Sequence, residues 1–280
     1  MTKCAGARSA ATPRYEWATP RADGAESRPC YRAAVATLVD PQAAARVSKS
    51  GGERAPLHAQ WLGRIDYPAA HGLQKRLVDD RAEERIGDQL LLLEHPPVLT
   101  LGKNSDPAHI LATADELAAR GVAVEHIERG GEVTYHGPGQ LVAYPIVRLH
   151  DRGLLLRPFV RALETALVET CGALGVRASR RDGHPGCWCD PDGRDPRKIG
   201  ALGLRVERGV SYHGIALNIT VDLDDFDLID ACGMPGVTST SVARELGRDD
   251  ERPTTASVEA AAGIFARAFA DAIDSPLTYD

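Results

Sequence analysis

A segment dense in glycine separates two strand-like stretches in the middle of this chain. Residues 129–140 read Arg-Gly-Gly-Glu-Val-Thr-Tyr-His-Gly-Pro-Gly-Gln, with four glycines and one proline in twelve residues. Glycines allow the backbone to turn sharply and to approach a ligand closely, with amides left free to bind it. The segment lacks the ending of a Walker loop and is no dinucleotide fingerprint, so it indicates no phosphate site. It is predicted to be either a tight hairpin with a surface histidine or a ligand-binding loop.

Strands and helices are predicted to interleave on both sides of this segment. The apolar run 88–95 has the length of a buried strand and stops at two prolines, and 98–101 follows it. Helices are predicted over residues 69–85, 110–120, 159–175, 239–246 and 258–273. Further strands are predicted over residues 61–65, 122–127, 140–147, 186–190, 199–206 and 214–221. Because no regular βαβ repeat is present, the predicted fold class is α/β, in the form of an α+β mixed sheet flanked by helices.

The composition limits the class of protein. A hydrophobic share of 43% and a charged share of 26% are ordinary for a soluble protein, and a net charge of -6 argues against nucleic-acid binding. No apolar run approaches the roughly 18 residues that a membrane span needs. Six cysteines in a chain without a secretory signal indicate reduced thiols. The protein is therefore predicted to be cytoplasmic, with neither nucleic acid nor a membrane as its partner.

The first 54 residues differ in composition from the rest of the chain. They are rich in Ala, Arg, Ser, Gly and Pro and show little periodicity, which predicts a disordered N-terminal extension over residues 1–54. A mitochondrial transit peptide is the alternative, although acids recur at Asp23, Glu26 and Asp40. One folded domain that carries the chemistry is predicted over residues 55–280.

Three later segments carry candidate functional residues. Residues 197–205 alternate small and apolar residues, as a strand passing close to another backbone or a ligand would. Residues 212–219 place His213 beside a glycine, where a hydrogen-bonded core histidine is the alternative. Residues 231–237 place Cys232 in a Gly/Pro turn, before a helix that could begin at residue 238 or 239. Helix-start amides there favour a thiolate and serve an oxyanion, whereas a lone loop cysteine is usually inert.

One lysine and one pair of cysteines are also unusual. Only five of the 33 basic residues are lysines, and Lys198 is the only lysine after Lys103. A lysine can lose its proton in a protein, whereas an arginine cannot. Cys187 and Cys189, preceded by His184, allow a zinc interpretation. Both cysteines are nevertheless predicted to be small apolar strand positions, and no metal site is expected.

Taken together, these segments resemble the octanoyltransferase family over essentially residues 60 to 250. Residues 90–98, the Thr-Leu-Gly of 100–102 and the Tyr-Pro-Ile of 144–146 are part of the resemblance, and the strings around Lys198 and His213 follow in the family's order and spacing. The resemblance implies a catalytic domain of the biotin and lipoate protein ligase type. It also implies the activity, which is transfer of an octanoyl group from octanoyl-acyl carrier protein to a lysine of a lipoyl domain, the first step of endogenous protein lipoylation.

The resemblance assigns roles to residues as well. Cys232 would carry the acyl group as a thioester. Lys198 would lie beside that thiol, lower its pKa and exchange protons with the leaving and attacking groups. His213 is an additional candidate. Three segments would bind the acyl group, and their residues are Arg129, Gly130, Gly131, Glu132, Val133, Thr134, Tyr135, His136, Ala201, Leu202, Gly203, Gly214, Ile215 and Ala216.

The reaction suits these residues. A thioester donor arrives activated, so neither ATP nor a cofactor is expected, and a cysteine exchanges one thioester for another at nearly equal energy. Transfer to the acceptor needs a base, because a lysine side chain has a pKa of about 10.4 and must lose a proton to attack. The implied partners are octanoyl-acyl carrier protein as donor, and lipoyl domains of 2-oxoacid dehydrogenase complexes and the glycine cleavage H protein as acceptors. Carrier proteins are acidic, so candidate docking cations are Arg148, Arg152, Arg157, Arg180 and Arg181.

Three alternatives stay open at this point. An ATP-dependent lipoate-protein ligase shares the fold, and a thiol hydrolase would use Cys232 with His136 or His213. A non-catalytic binding protein of the same fold is the third. The presence of both Cys232 and Lys198 argues against the ligase and against the binding protein.

Overall fold

The computed structural model of the protein describes residues 55–103, 105–230, 237–248 and 255–280. The predicted N-terminal extension and the turn that contains Cys232 lie outside these described residues. The strands are β1 Leu57–Arg64, β2 Asp88–Glu94, β3 Val98–Leu101, β4 Ala123–His126, β5 Thr134–His136, β6 Gln140–Ile146, β7 Ser179–Arg181, β8 His184–Cys189, β9 Arg197–Glu207, β10 Val210–Asn218, β11 Thr238–Ser239 and β12 Leu277–Tyr279. The helices are α1 Tyr67–Ala82, α2 Ala114–Ala119, α3 Leu156–Ala173, α4 Val242–Glu245 and α5 Thr255–Ala272.

A mixed sheet organises the chain from residue 57 onward. Its strands follow the order β12-β1-β2-β6-β10-β9-β8-β7, and β11 pairs with β9 outside that path. The pairs β1–β12, β1–β2 and β9–β11 are parallel, and the other pairs are antiparallel. A second, three-stranded sheet has the order β4-β3-β5. The prediction of a mixed sheet flanked by helices is confirmed.

Helices α3 and α5 cover one face of the large sheet and form the main core with it. Phe159 of α3 meets Phe269 of α5 edge to face, with ring centroids 5.9 Å apart, an arrangement that aromatic rings favour. Leu90 and Leu92 of β2 join this cluster. Side chains alternate along a strand, so Leu91 and Leu93 lie on the opposite face, where they are also buried. Both faces of β2 are therefore covered, as its continuous apolar sequence indicates.

The two cysteines of β8 lie in the same core. Cys187 and Cys189 are 0% and 1% exposed, and the Sγ atoms of Cys171 and Cys187 are 4.0 Å apart. The three thiols are free, and they pack among apolar side chains of the main cluster. The prediction that Cys187 and Cys189 occupy small apolar positions is confirmed.

Two predicted helices differ from the structure because side-chain caps set their start. The helix expected over 110–120 begins only at Ala114, where Thr113 and Glu116 form a capping box. The helix expected from residue 238 or 239 begins at Val242 instead, capped by the Ser241 side chain. Thr238 and Ser239 pair with β9 as a short strand. The expectation that a helix starts directly after the Cys232 turn is therefore wrong.

Very short strands account for other differences between the predicted and the observed elements. Strands β5, β7, β11 and β12 have only two or three residues each and were not predicted, since so short a stretch carries no clear periodicity.

Within the described part of the chain, none of the helices has the length and apolarity required to cross a membrane.

Candidate active site

A pocket opens between strands β9 and β10 and the glycine-rich segment. It encloses about 530 Å³ of space, part of it open to solvent. Strands and loops far apart in sequence contribute its walls. The lining residues are Tyr67, Arg129, Gly131, Glu132, Val133, Thr134, His136, Tyr144, Lys198, Ala201, Leu202, Gly203, His213, Gly214, Ile215 and Ala216.

Hydrogen bonds hold both ends of the glycine-rich segment in place. Arg129 donates from Nη2 to the carbonyl oxygen of Thr100 at 2.7 Å. At the other end, the amide of Gly139 donates to the buried carboxylate of Glu94 at 2.7 Å. His136 is only 7% exposed, so the alternative of a hairpin with a surface histidine is wrong. The segment forms a wall of the pocket.

Glycines on strands β9 and β10 let neighbouring backbone come close. Gly203 of β9 and Gly214 of β10 lie opposite each other in the sheet register. A Cβ atom at Gly203 would lie 2.8 Å from the carbonyl oxygen of Gly130, and one at Gly214 would collide with that of Ala143. These close approaches leave no room for a side chain, which explains the alternation of small and apolar residues in this part of the sequence.

Lys198 lies in the wall of the pocket near the start of β9. Its Nζ is 5.3 Å from the ring centroid of Trp188. Ser239 pairs with Lys198 in the sheet, and the amide of Thr240 donates to the Lys198 carbonyl at 3.0 Å. The chain that follows the Cys232 segment is therefore held against the strand that carries this lysine. Cys232 itself lies outside the described residues.

Tyrosine and histidine side chains on the pocket wall, and His95 beside Tyr144, are held uncharged by burial. His95 donates from Nδ1 to the Ile65 carbonyl at 2.6 Å, which leaves its Nε2 to accept the Tyr144 hydroxyl at 2.7 Å. Burial lowers the pKa of His95 to about 4. Burial, together with the neighbouring His95, lowers the pKa of His136 to about 3. Burial also raises the pKa of Tyr67 and of Tyr144. These tyrosine and histidine side chains are thus neutral at pH 7.

His213 reaches the same wall through an unusual backbone conformation. Its φ is 54°, a left-handed value that residues other than glycine rarely adopt. Tyr212 and His213 consequently stack side by side, with ring centroids 4.7 Å apart, whereas neighbours on a regular strand point to opposite faces. Burial and the nearby His71 lower the pKa of His213 to about 3. The sequence left His213 open between a core and a site position, and it lies in the pocket wall.

His213 also belongs to a group of possible metal donors. His71, Glu128 and His213 each offer one ligand atom within 4.8 Å of the others, the single such group in the described residues. Two histidines and a carboxylate resemble catalytic zinc sites. The carboxylate of Glu128 is, however, already engaged, because it accepts the Tyr212 hydroxyl at 2.9 Å and lies 3.9 Å from the Lys75 ammonium. Burial opposes the shift, but hydrogen bonds from the backbone and Tyr212, together with His71, lower its pKa to about 2.

The structure gathers most of the predicted acyl-binding residues around this one pocket. Gly130 and Tyr135 are the exceptions among those predicted. Gly130 packs behind the wall, where its amide donates to the Leu204 carbonyl at 3.2 Å. Tyr135 points the other way from Thr134 and His136, as alternation along β5 requires, and its hydroxyl donates to Asp225 at 2.5 Å.

Two tyrosines and two partners of His213 were not predicted as site residues. Tyr67 opens α1, and Tyr144 was part of the motif 144–146 without a role assigned to it. His71 and Glu128 complete the group around His213. Nothing in the local sequence marks Tyr67, His71 or Glu128, because only the packing of α1 against β10 brings them together.

Comparison with known proteins agrees with this arrangement. The chain belongs to the lipoyl protein ligase A/B catalytic domain family, whose model matches residues 66–269. It is 46% identical over 216 residues to an octanoyltransferase from Acidobacterium capsulatum, covering 74% of this chain and 88% of that relative. It is 48% identical over 188 residues to an octanoyltransferase from Chloroflexus aggregans, covering 67% and 84%. The chain is an acyltransferase, and octanoyl transfer in protein lipoylation is the activity that these relatives support.

Solved structures show the same fold at low sequence identity. A bipartite lipoate protein ligase from Thermoplasma acidophilum matches with a TM-score of 0.57 at 15% identity, covering 81% of this chain and 87% of that one. Lipoate-protein ligase A bound with ATP matches with a TM-score of 0.57 at 17% identity, covering 81% and 88%. The predicted fold of the biotin and lipoate protein ligase type is confirmed.

Proposed function

We propose that this enzyme takes the octanoyl group from octanoyl-acyl carrier protein, holds it as a thioester on Cys232 and passes it to a lysine of a lipoyl domain. The observation that carries the proposal is the position of Lys198, which lines the apolar pocket between β9 and β10. The strand that follows the Cys232 segment pairs with β9 at this same lysine. An acyl chain in the pocket would therefore have its reactive end beside the only lysine of the wall.

The pocket walls suit an apolar chain. Ala201, Leu202, Ile215 and Ala216 provide carbon surface, and all of them line the pocket. Burial of about seven carbons at roughly 0.8 kcal/mol each contributes on the order of 5 to 6 kcal/mol. The histidines and tyrosines that line the pocket add no charge, because burial lowers the pKa of the histidines and raises the pKa of the tyrosines. A fatty acyl chain of medium length fits such a slot better than a charged substrate.

The first step exchanges one thioester for another. The Cys232 thiolate attacks the donor carbonyl, the bond from that carbon to the carrier sulfur breaks, and Lys198 gives its proton to the leaving thiolate. In the second step, a neutral acceptor amine attacks the acyl-Cys232 carbon. Lys198 takes the proton that the amine loses, and the Cys232 thiolate leaves. Both groups return to their starting protonation states, and no nucleotide is consumed.

The partners follow from this chemistry. The donor is an acyl carrier protein, and the acceptors are lipoyl domains, including those of 2-oxoacid dehydrogenase complexes and the glycine cleavage H protein. The free thiols of Cys171, Cys187 and Cys189 support a reducing compartment such as the cytoplasm. An ATP-dependent ligase of the same fold would need free acid and nucleotide instead, which makes the two activities separable.

Intact mass spectrometry after mixing the enzyme with octanoyl-carrier protein, without ATP, tests the proposal. We expect one octanoyl adduct that hydroxylamine removes and that maps to Cys232. A Cys232→Ser variant should give no hydroxylamine-sensitive adduct, whereas the control Cys187→Val should still be acylated, because Cys187 is fully buried. Labelling at Cys187 or Cys189, or a strict need for ATP, would overturn the proposal.

A further inference from the structure

The arginines of this protein fall into two groups. Many are held by carboxylates inside the fold. Arg152, for example, lies 2.5 Å from buried Asp88 with a side chain only 4% exposed, and Arg148 lies 2.7 Å from Glu84. The expectation that Arg152 is a docking cation is therefore wrong, and Arg148 is engaged as well. Arg157, Arg180 and Arg181, in contrast, have no carboxylate partner within the residues that the structure describes.

The arginines of the second group, together with Arg161, lie on α3 and on strand β7, which contacts α3. Arg157, Arg161 and Thr165 are spaced four residues apart along α3, so they share one face of the helix. Arg180 of β7 donates from Nη2 to the Thr165 hydroxyl at 2.9 Å, which joins the helix face to the edge strand of the sheet. Arg161 is 56% exposed although it pairs with Glu164. The cationic stripe is defined here as Arg157, Arg161, Arg180 and Arg181.

One end of the cationic stripe lies beside the proposed active site. The Arg181 guanidinium carbon is 5.1 Å from the Trp188 ring centroid, and Lys198 Nζ is 5.3 Å from the same centroid, so no more than about 10 Å separates the two cations. Trp188 itself is fully buried. The Arg181 end of the stripe therefore lies within about 10 Å of the lysine at the pocket.

We infer that the cationic stripe docks the acidic carrier protein that delivers the acyl thioester. The inference rests on the proposed function and adds the surface that the donor uses. The chain as a whole carries a net charge of -6, which disfavours an acidic partner. A local row of arginines then orients that partner, because complementary charge steers encounter and fixes register. Exposed acids are nevertheless present nearby in sequence, at Glu169 on α3 and Asp182 after β7.

The extent of the stripe favours the donor over the acceptor as its occupant. Arg157 lies eight residues before Thr165 on α3, which is about 12 Å along the helix axis. A lipoyl domain presents its amine on a lysine side chain, so it must sit directly over Lys198. A carrier protein bears its thioester on a longer flexible arm, so its body can rest further from the reacting atoms. A docking surface that begins at Lys198 and continues along α3 matches the longer arm.

The double variant Arg157→Glu/Arg180→Glu tests the inference, because neither residue touches the pocket and neither holds a buried carboxylate. Acyl-enzyme formation is measured with octanoyl-carrier protein and with a small donor, octanoyl-pantetheine. We expect kcat/KM for the carrier donor to fall about 10- to 100-fold at low salt, with the loss shrinking as salt screens the charges. The rate with octanoyl-pantetheine should stay unchanged. The rate of transfer from pre-acylated enzyme to a lipoyl domain should also stay unchanged.

A charge-matched control is the double variant Arg76→Glu/Arg208→Glu, in which exposed arginines elsewhere are reversed. This control should keep the wild-type rate with both donors. An equal loss with both donors, no loss with the carrier donor, or a loss confined to transfer to the lipoyl domain would overturn the inference. Failure of the proposed function would look different, because wild-type enzyme would then form no acyl-enzyme from either donor.

Discussion

Strands β8, β9 and β10 have one face that is filled by packed side chains and one face that borders a cavity. On the face under α3 and α5, apolar side chains such as Cys187 and Leu217 pack without exposure, and stability comes from filled volume. On the other face, glycine and alanine leave a cavity, and the side chains around it include histidines that burial keeps neutral. On the first face we expect substitutions of similar volume to change stability little. On the second face we expect activity to depend on individual side-chain atoms and on their protonation states.

The largest effect is expected at Lys198, on the pocket face. Lys198→Arg keeps the positive charge but removes the ability to accept a proton. We expect Lys198→Arg and Lys198→Ala both to lose at least about a hundredfold in transfer to a lipoyl domain, since loss of a general base typically costs about 10² to 10⁴ in rate. Single-turnover transfer from pre-acylated enzyme measures this. Near-wild-type transfer by Lys198→Arg would refute the proton-shuttle role.

The next effect concerns the volume of the pocket. Ala216→Leu adds three carbons to a wall residue and should displace about three methylenes of the acyl chain. At roughly 0.8 kcal/mol per methylene, the preference for octanoyl over butanoyl should fall about 50-fold. The kcat/KM ratio for the two donors measures it, and butanoyl transfer by the same variant is the internal control. An unchanged ratio would mean that the acyl chain lies elsewhere.

Acid stability should depend on the buried histidines of the pocket face. His213 has a folded pKa of about 3 against about 6.5 when unfolded. Between these values the unfolded state binds more protons, so the free energy of unfolding falls as the pH falls below about 6.5. Each such histidine contributes about 1.4 kcal/mol per pH unit.

His213→Asn isolates the contribution of one histidine, because asparagine tolerates a left-handed φ and does not titrate. Denaturant unfolding between pH 6.5 and 4 should give a slope lower by about 1.4 kcal/mol per pH unit than wild type. Equal slopes for wild type and His213→Asn would show that this histidine is not held neutral by the fold.

The smallest effect is expected on the helix-covered face. Cys187→Val and Cys189→Val replace small apolar side chains by others of similar size, and each should change the free energy of unfolding by less than about 1.5 kcal/mol. Octanoyl transfer should remain at the wild-type rate. Elemental analysis of the wild-type protein should find no zinc that these variants lose. A zinc ion that disappears with both cysteines would show that this face holds a metal as well as a core.

Much of the architecture was determined by the sequence alone. The apolar run of β2 and the strand β6 were predicted almost to the residue, because burial imposes a continuous or alternating pattern on a strand. Lys198 stood out as the only lysine after Lys103, whereas its role and the three predicted acyl-binding segments were implied by the resemblance to octanoyltransferases and stay predictions. The helices were less well bounded, because capping side chains such as Thr113 and Ser241 decided where they begin.

Only the tertiary structure decided which side chains face the pocket. Tyr67 and His71 come from α1 and meet His213 more than a hundred residues later in the chain, a contact that no local pattern encodes. His213 faces them because its left-handed φ of 54° reverses the alternation of β10, while regular alternation turns Tyr135 away. Periodicity along the sequence reports burial of an element, but side-chain direction and long-range neighbours are set when the elements pack.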